Sequence, residues 1–182
     1  MKIEQTPLKD SFILTPTIFN DERGTFNETF NEVLFEKVSG QKVNFVQDNQ
    51  STSRFGVLRG MHYQVGKMAQ AKLVRAIEGR VLDIIVDIRK GSETFGKHFS
   101  IILDDISQKQ LFIPRGFAHG FITLSTTSKF AYKCDNFYDK NSERGIIYND
   151  VSLQLDWHLP NDKFIISEKD LNLPSFLEAT SK

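Results

Sequence analysis

Short apolar segments separated by Gly, Asp, Asn and Pro run along most of the chain and predict a protein built mainly from β-strands. The clearest example is residues 71–89, in which Glu78-Gly79 separates two β-branched runs and predicts the tip of a β-hairpin. In the second arm, Leu82 and Ile84 point to one face and Asp83 to the other, because side chains alternate along a strand. Further strands are predicted at residues 12–19, 44–49, 57–64, 98–103, 110–113, 120–124 and 129–134.

Helical patterns are confined to two short segments. An apolar residue recurs every four positions from Phe30 to Val38, and Gly40 is available as a C-cap, so a short helix is predicted there. A second short helix is predicted over residues 167–173, with Ser167 as its N-cap. Many short strands with few helices favour an antiparallel sandwich or barrel.

Composition narrows the class of protein. Lys plus Arg and Asp plus Glu both total 23, so no global field attracts nucleic acid or an acidic membrane. Cys134 is the only cysteine, which excludes an intrachain disulfide. The sequence has neither a signal-peptide h-region nor an apolar run approaching the roughly 20 residues of a membrane span. We therefore expect one soluble, cytoplasmic domain over residues 1–182 that binds neither nucleic acid nor membrane.

Two of the four histidines lie in similar surroundings. His62 in "VLRGMHYQ" and His119 in "FIPRGFAHGFITL" each follow an apolar run and a glycine-containing turn, with an arginine nearby. A single strand histidine is more often a satisfied core side chain, but two such segments in one small β protein favour a shared site. The other two, among polar neighbours at segment edges, are expected to be structural or solvated: His98 and His158.

A metal site is the first alternative for these histidines. Metal sites on β-barrels usually combine His-x-His with a carboxylate, but Gln64 stands two residues after His62 and Phe121 two after His119. No metal is therefore predicted, and a neutral imidazole with a pKa of about 6.5 is suited to accept a proton.

An acid that stays protonated at neutral pH would complete such a pair. Tyr132, in the middle of a predicted strand, fits this role, although an ordinary core tyrosine is the simpler reading of that residue alone. Lys72 shares a strand face with Val74 and Ala76. A lysine inside a barrel is rare unless a negative charge meets it, and the alternative is an edge lysine reaching solvent.

Seven segments, in order and spacing, resemble the dTDP-4-dehydrorhamnose 3,5-epimerase family over residues 12–170. They are "FNDERGTFNETF", "NFVQDNQS", "VLRGMHYQ", "QAKLVRAIEGRVLDIIVDIRKGSETFG", "FIPRGFAHGFITLS", "YKCDNFY" and "SERGIIYND". The resemblance implies a mainly β cupin jelly-roll barrel with a few short helices. It also implies a homodimer in which N-terminal strands pack against the partner, a dTDP-4-keto-6-deoxy sugar as substrate, and no cofactor.

The resemblance also implies a mechanism. His62 removes a proton next to the C4 ketone and Tyr132 returns one from the opposite face, at carbons 3 and 5 in turn. Asp170 matches the carboxylate that orients the histidine, and Lys72 would stabilise the enolate oxygen. Because strict alternation sends positions 59 and 62 to opposite faces, a bulge or twist at Gly60 is predicted to bring both into the pocket.

The remaining substrate-binding residues follow from motif matches. Arg59 is expected to hold the diphosphate, and Phe19 and Tyr138 are candidates for stacking on thymine. Gln50 and Phe137 depart from the histidine and tyrosine common in the family. The other matched positions are Arg23, Glu28, Gln47, Asp48, Asn49, Lys72, His119, Glu143 and Lys169.

Three other functions remain open from the sequence. The first is an epimerase that acts at carbon 3 or 5 alone, or on another nucleotide sugar. The second is a non-catalytic nucleotide-sugar-binding cupin, which the presence of both His62 and Tyr132 disfavours. The third is a metal-dependent cupin dioxygenase, which the absence of His-x-His disfavours.

Overall fold

Two antiparallel β-sheets packed face to face make up most of the computed structural model, which describes residues 1–181. The strands are β1 Lys2–Gln5, β2 Phe12–Thr15, β3 Phe19–Asp21, β4 Gly24–Phe26, β5 Gln47–Arg54, β6 Leu58–Gln64, β7 Lys72–Glu78, β8 Arg80–Asp87, β9 His98–Asp104, β10 Gln110–Ile113, β11 Phe117–Thr123, β12 Thr127–Cys134 and β13 Glu143–Gly145. The α-helices are α1 Glu32–Ser39, α2 Glu168–Leu171 and α3 Phe176–Thr180, and single 3₁₀ turns lie at Gly66–Met68 and Asn161–Lys163.

The strand order confirms the predicted mainly β, antiparallel architecture. One sheet has the order β1-β2-β10-β7-β12-β5, and the other has the order β13-β6-β11-β8-β9. Strands β3 and β4 form a separate two-stranded hairpin. Both predicted helices are confirmed, with Ser167 as the N-cap of α2 and Gly40 as the C-cap of α1.

The predicted hairpin at Glu78-Gly79 is wrong, because its two arms belong to different sheets. Strand β7 pairs with β10 and β12, whereas β8 pairs with β9 and β11. Gly79 therefore turns the chain from one sheet into the other, with φ at +74°. A Cβ at this position would lie 2.2 Å from the Thr127 carbonyl oxygen. The glycine signal was correct, but alternation within a strand does not reveal its partner.

Several predicted strand boundaries also shift. The strand expected at residues 12–19 is divided, because β2 ends before Pro16, which has no N–H for the ladder, and β3 begins at Phe19. Strand β5 begins three residues later than expected and continues to Arg54. Strand β11 begins at Phe117 instead of residue 120.

The main hydrophobic core lies between the two sheets, and each outer face has its own cover. Phe121 and Phe130 come from opposite sheets and stack with ring centroids 4.2 Å apart. The chain after β13 covers the outer face of the five-stranded sheet, where the buried Trp157 donates to the Tyr148 carbonyl. Helix α1 covers part of the other sheet through the buried Phe35. Burial of an apolar side chain of this size contributes about 1.5–3 kcal/mol to the stability of the fold, so these contacts stabilise both sheets.

A charged network stabilises the end of β8. Asp87 is fully buried and accepts hydrogen bonds from Arg89, Ser92 and Thr94. Burial alone raises the pKa of Asp87, but these hydrogen bonds outweigh it and lower the pKa to about 2. Arg89 also pairs with Asp10 at 2.7 Å, which ties the N-terminal segment to β8. Among residues 1–181, no helix is long and apolar enough to cross a bilayer.

Candidate active site

A bulge in β6 confirms the prediction made for Gly60. His62 lies opposite His119 on β11, and Arg59 lies opposite Phe121, so three residue steps on β6 face two on its neighbour. Gly60 has φ at +130°, and the peptide bond that follows it is cis. The extra residue changes the alternation of the strand, so Arg59 and His62 both line the same cavity.

That cavity, of about 520 Å³, opens between the two sheets. The five-stranded sheet contributes Arg59, His62 and His119, and the six-stranded sheet contributes Lys72 and Tyr132. The segment around α2 closes one side with Ser167, Lys169 and Asp170. A second cavity of about 360 Å³ shares three of these residues, His62, Lys72 and Tyr132, and adds Gln47, Asn49, Tyr138 and Glu143. The two cavities together suit an elongated ligand.

His62 is held by a carboxylate from the C-terminal segment. The Nε2 of His62 lies 2.7 Å from Oδ1 of the buried Asp170, and the Gly60 backbone N–H donates to Oδ2 at 3.2 Å. Burial opposes ionisation of Asp170, but the hydrogen bonds from His62 and Gly60 lower its pKa below the usual range. An ionised carboxylate only accepts, so Nε2 carries the hydrogen and Nδ1 is left with its lone pair. Nδ1 has no hydrogen-bond partner within residues 1–181 and can accept a proton.

Tyr132 provides a protonated phenol on the opposite wall. Its side chain is half-buried on β12, and its hydroxyl makes no hydrogen bond to any residue from 1 to 181. Burial raises the pKa of Tyr132, and Cys134 and Glu143 raise it further, while Arg59 acts in the opposite direction. The phenol therefore keeps its proton at neutral pH and is free to donate it into the cavity.

Lys72 adds a positive charge beside the phenol. The Nζ of Lys72 lies 5.9 Å from the centroid of the Tyr132 ring. Within residues 1–181, Lys72 forms no ion pair. Burial lowers the pKa of Lys72, and the neighbouring Cys134, Asp83 and Glu143 partly offset this effect. A half-buried ammonium without a direct counterion can stabilise an anion that develops in the cavity.

Polar side chains line the rim of the second cavity. The Tyr138 hydroxyl and Lys169 Nζ both donate to Oε2 of Glu143, at 2.9 and 2.6 Å. Burial opposes ionisation of Glu143, but these two donors lower its pKa below the usual value. The Gln47 side chain accepts from the Tyr138 backbone N–H and donates to Asn49. Five of the residues predicted to bind substrate are thus connected at this rim.

Four other predicted binding residues lie away from the cavity of their own chain. Asp48 points to the other face of β5, where it pairs with Lys133 at 3.0 Å. Phe19 and Arg23 lie on the exposed β3–β4 hairpin, and Glu28 follows it on the surface. Their roles in substrate binding stay predictions.

Sequence reasoning missed one buried partner of the site. Asp83, on β8, is fully buried, and its Oδ2 lies 2.8 Å from Nε2 of His119. Its signal was an acidic residue between the apolar Val81 and Ile85 on the inward face of β8. Within residues 1–181, no three His, Cys, Asp or Glu side chains are grouped as a metal ion would require.

The two-sheet fold and a cavity lined by His62 and Tyr132 from opposite sheets fit an isomerase of the cupin class. The chain belongs to the dTDP-4-dehydrorhamnose 3,5-epimerase family, whose model matches residues 5–178. The resemblance seen in the sequence is therefore confirmed, and with it the cupin fold.

Relatives match over nearly the whole chain. The dTDP-4-dehydrorhamnose 3,5-epimerase of Shigella flexneri is 49% identical over 179 residues, which cover 98% of both sequences. The crystal structure of dTDP-4-dehydrorhamnose 3,5-epimerase from Elizabethkingia anophelis is 53% identical, with a TM-score of 0.95. The match covers 99% of the present chain and 98% of the Elizabethkingia chain. The dTDP-6-deoxy-D-glucose-3,5-epimerase of Legionella pneumophila was solved in complex with dTDP-4-keto-L-rhamnose. It is 43% identical, with a TM-score of 0.92, and the match covers 96% of the present chain and 92% of the Legionella chain.

Proposed function

We propose that this protein converts dTDP-4-dehydro-6-deoxy-D-glucose into dTDP-4-dehydro-L-rhamnose by inverting carbons 3 and 5. The observation that carries the proposal is that His62 and Tyr132 line one cavity from opposite sheets. Inversion of a carbon centre requires removal of a proton on one face and its return on the other. Family membership supports the substrate, and the ligand of the Legionella pneumophila relative has the expected product structure.

The reaction begins at a C–H bond next to the C4 ketone. Nδ1 of His62 takes the proton, the C–H electron pair forms the enolate, and the negative charge moves to the C4 oxygen. Asp170 stabilises the resulting imidazolium through its hydrogen bond to Nε2. The Tyr132 hydroxyl then protonates the same carbon from the other face, which restores the ketone and leaves a phenolate. Exchange with solvent returns His62 and Tyr132 to their starting protonation states.

Each part of this site accounts for a share of the rate. A positioned base and a positioned acid contribute roughly 10²–10⁴ each. Lys72 stabilises the enolate oxygen, and one such donor is commonly worth about 3–4 kcal/mol. Because burial lowers the pKa of Lys72, proton sharing with the enolate oxygen becomes easier.

The nucleotide occupies the two cavities and their rim. Arg59 and Lys169 provide charge for the diphosphate, and the guanidinium of Arg59 is partly fixed by a hydrogen bond to Ser53. Tyr138 is 55% exposed, which leaves its ring open for stacking on thymine. We also propose that residues 1–182 form a single domain, that the enzyme is cytoplasmic and that the reaction needs no cofactor.

We also propose a homodimer with exchanged N-terminal strands. The β3–β4 hairpin exposes Phe19 by 59% and Phe26 by 71%, and its predicted ligand residues do not reach the cavity of their own chain. Packing of this hairpin on a second copy would bury the rings and bring Phe19, Arg23 and Glu28 to that copy's cavity.

The dimer proposal is tested by complementation. Coexpressed Arg23→Ala and His62→Ala chains would form mixed dimers in which one site carries both defects and the other carries neither. Statistical mixing then restores about a quarter of the wild-type sites, far above either variant alone. If Arg23 acts within its own chain, the mixture shows only the average of the two weak activities, and the exchange proposal fails.

The reaction itself is tested by NMR of dTDP-4-keto-6-deoxyglucose incubated with the protein in deuterated water. The proposal predicts deuterium at both carbons 3 and 5 and formation of the L-lyxo product, with no effect of a metal chelator. Deuterium at one carbon would identify a mono-epimerase instead. Binding of dTDP without any exchange would identify a non-catalytic cupin.

A further inference from the structure

A second histidine–aspartate pair lies directly beside the first. His119 on β11 faces His62 across the strand pair, and each histidine holds an aspartate through Nε2. The Nε2 of His119 lies 2.8 Å from Oδ2 of Asp83, and both side chains are buried. Only His119 lines the cavity, so Asp83 stands behind it.

Asp83 lacks the full set of hydrogen bonds that a buried structural carboxylate normally accepts. Its Oδ1 is buried and has no hydrogen-bond partner within residues 1–181. On the same strand and face, Asp87 accepts hydrogen bonds on both oxygens from Arg89, Ser92 and Thr94. A half-satisfied buried carboxylate reduces stability, because the bare oxygen loses its hydration without compensation. Its position directly behind a cavity-lining histidine therefore points to a role at the site.

The surroundings of His119 fix both the ring and its hydrogen. The ring stacks on Phe130 with centroids 6.1 Å apart and an angle of 23° between the planes. The partner of Nε2 in this contact is a carboxylate oxygen, which acts as the acceptor, so the hydrogen is assigned to Nε2 of His119. Nδ1 then keeps a lone pair, and within residues 1–181 it has no hydrogen-bond partner.

We propose that Asp83 is a positioning residue that holds His119 in the Nε2–H tautomer, so that Nδ1 accepts a hydrogen bond from a sugar hydroxyl next to a reacting carbon. The identity of the sugar rests on the proposed function, but the tautomer does not. The pair thereby orients the ring of the substrate between His62 and Tyr132. Asp83 acts only through His119 and does not touch the substrate.

The tautomer is measured directly by ¹⁵N NMR of histidine-labelled protein, with His119 assigned by comparison with His119→Gln. The wild-type spectrum should show a protonated Nε2 and an unprotonated Nδ1. In Asp83→Asn, whose amide can offer either a donor or an acceptor, this preference should be lost. A wild-type spectrum with hydrogen on Nδ1 overturns the proposal, whether or not the variant folds.

Kinetics test whether Asp83 acts through His119. Asp83→Asn should lower kcat about tenfold, the equivalent of one hydrogen bond to substrate. Combined with His119→Gln, it should cause no further loss, because the two residues form one unit. Additive losses would contradict the proposal.

Asp87→Asn is the matched control, since it removes a buried carboxylate from the same strand outside the cavity. It should reduce stability while leaving the His119 tautomer and kcat of the folded protein unchanged. A shift of the His119 signal in this control as large as that in Asp83→Asn would mean that the tautomer reports general loosening, and would overturn the proposal. If the proposed sugar is not a substrate at all, the proposed function fails while the NMR result still decides the tautomer.

Discussion

Asp170 and His62 are 108 residues apart in the sequence and are joined by a hydrogen bond of 2.7 Å. The histidine lies on β6 of the five-stranded sheet, whereas the aspartate lies on the short helix α2 near the C-terminus. The C-terminal segment therefore completes the site, because Asp170 also binds the backbone of the β6 bulge through Gly60. A single carboxylate thus holds both the proton acceptor and the bulge that directs it into the cavity.

Asp170→Asn should lower kcat by about 10²–10⁴ with little change in KM, because the imidazole loses its tautomer and the imidazolium its countercharge. Steady-state kinetics of the purified variant measure this. Glu168→Gln, on the exposed face of the same helix, is the control and should retain wild-type kcat. Equal kcat values for Asp170→Asn and wild type would show that His62 needs no carboxylate.

Lys72→Met should separate activity from stability. The loss of an oxyanion donor costs about 3–4 kcal/mol of transition-state stabilisation, or roughly 10²–10³ in kcat. The free energy of unfolding should not fall, because the change removes a half-buried charge that has no ion pair within residues 1–181. Kinetics and urea unfolding test both statements. The control is Lys129→Met, which breaks only a surface pair with Glu78 and should leave kcat unchanged. If Lys72→Met lowers the free energy of unfolding and Lys129→Met does not, Lys72 has a structural role.

Gly60→Ala should strongly destabilise the fold. A Cβ there would lie 2.5 Å from Gly120 Cα and 2.8 Å from the His119 carbonyl oxygen, and φ is +130°. We expect a loss of about 3 kcal/mol or more from backbone strain and steric overlap together. Gly66→Ala is the control for backbone strain alone, since φ is +63° there with no atom within 4 Å. Gly66→Ala should lower the free energy of unfolding, measured with urea, by about 1–2 kcal/mol. Equal losses in both variants would contradict the claim that a side chain at Gly60 meets steric overlap.

Asp87 should make stability depend on pH in acid. Its folded pKa of about 2 lies below the unfolded value, so its contribution is present above about pH 4 and is lost as the pH falls toward 2. The shift corresponds to about 2 kcal/mol. Asp87→Asn should therefore be less stable than wild type at pH 7 by at least this amount, with a difference that shrinks between pH 4 and pH 2. Asp162→Asn, on the surface, should change stability by less than about 0.5 kcal/mol at every pH. A difference for Asp87→Asn that stays constant with pH would rule out this linkage.

Local patterns in the sequence predicted the longer strands and the helices α1 and α2, but not the short elements β1, β4, β13 and α3. The need to place Arg59 and His62 in one pocket predicted the bulge at Gly60, and the caps of α1 and α2 were readable from single residues. The strand partners were not readable, because alternation is the same whichever strand lies alongside, and the Glu78-Gly79 hairpin failed for this reason.

Strand β5 shows another limit of pattern reading. Its sequence is QDNQSTSR, and no apolar alternation marks it as a strand. One face of this strand lines the cavities with polar side chains such as Gln47 and Asn49, while Asp48 lies on the other face. A polar cavity and a solvated surface therefore give the same hydrophilic pattern. The role of Asp83 was not readable either. Its partner His119 is 36 residues away, and local patterns do not reveal contacts between distant strands.

The most direct test of the proposed chemistry follows carbon 3 and carbon 5 of the substrate in deuterated water with His62→Ala and Tyr132→Phe. Without its base, His62→Ala should show neither deuterium exchange nor epimer. Tyr132→Phe should still exchange these hydrogens, because His62 can return the deuteron to the face from which it took the proton, but the L-lyxo product should not accumulate. Wild-type formation of that product by Tyr132→Phe, or exchange by His62→Ala at the wild-type rate, would contradict the two-sided proton transfer.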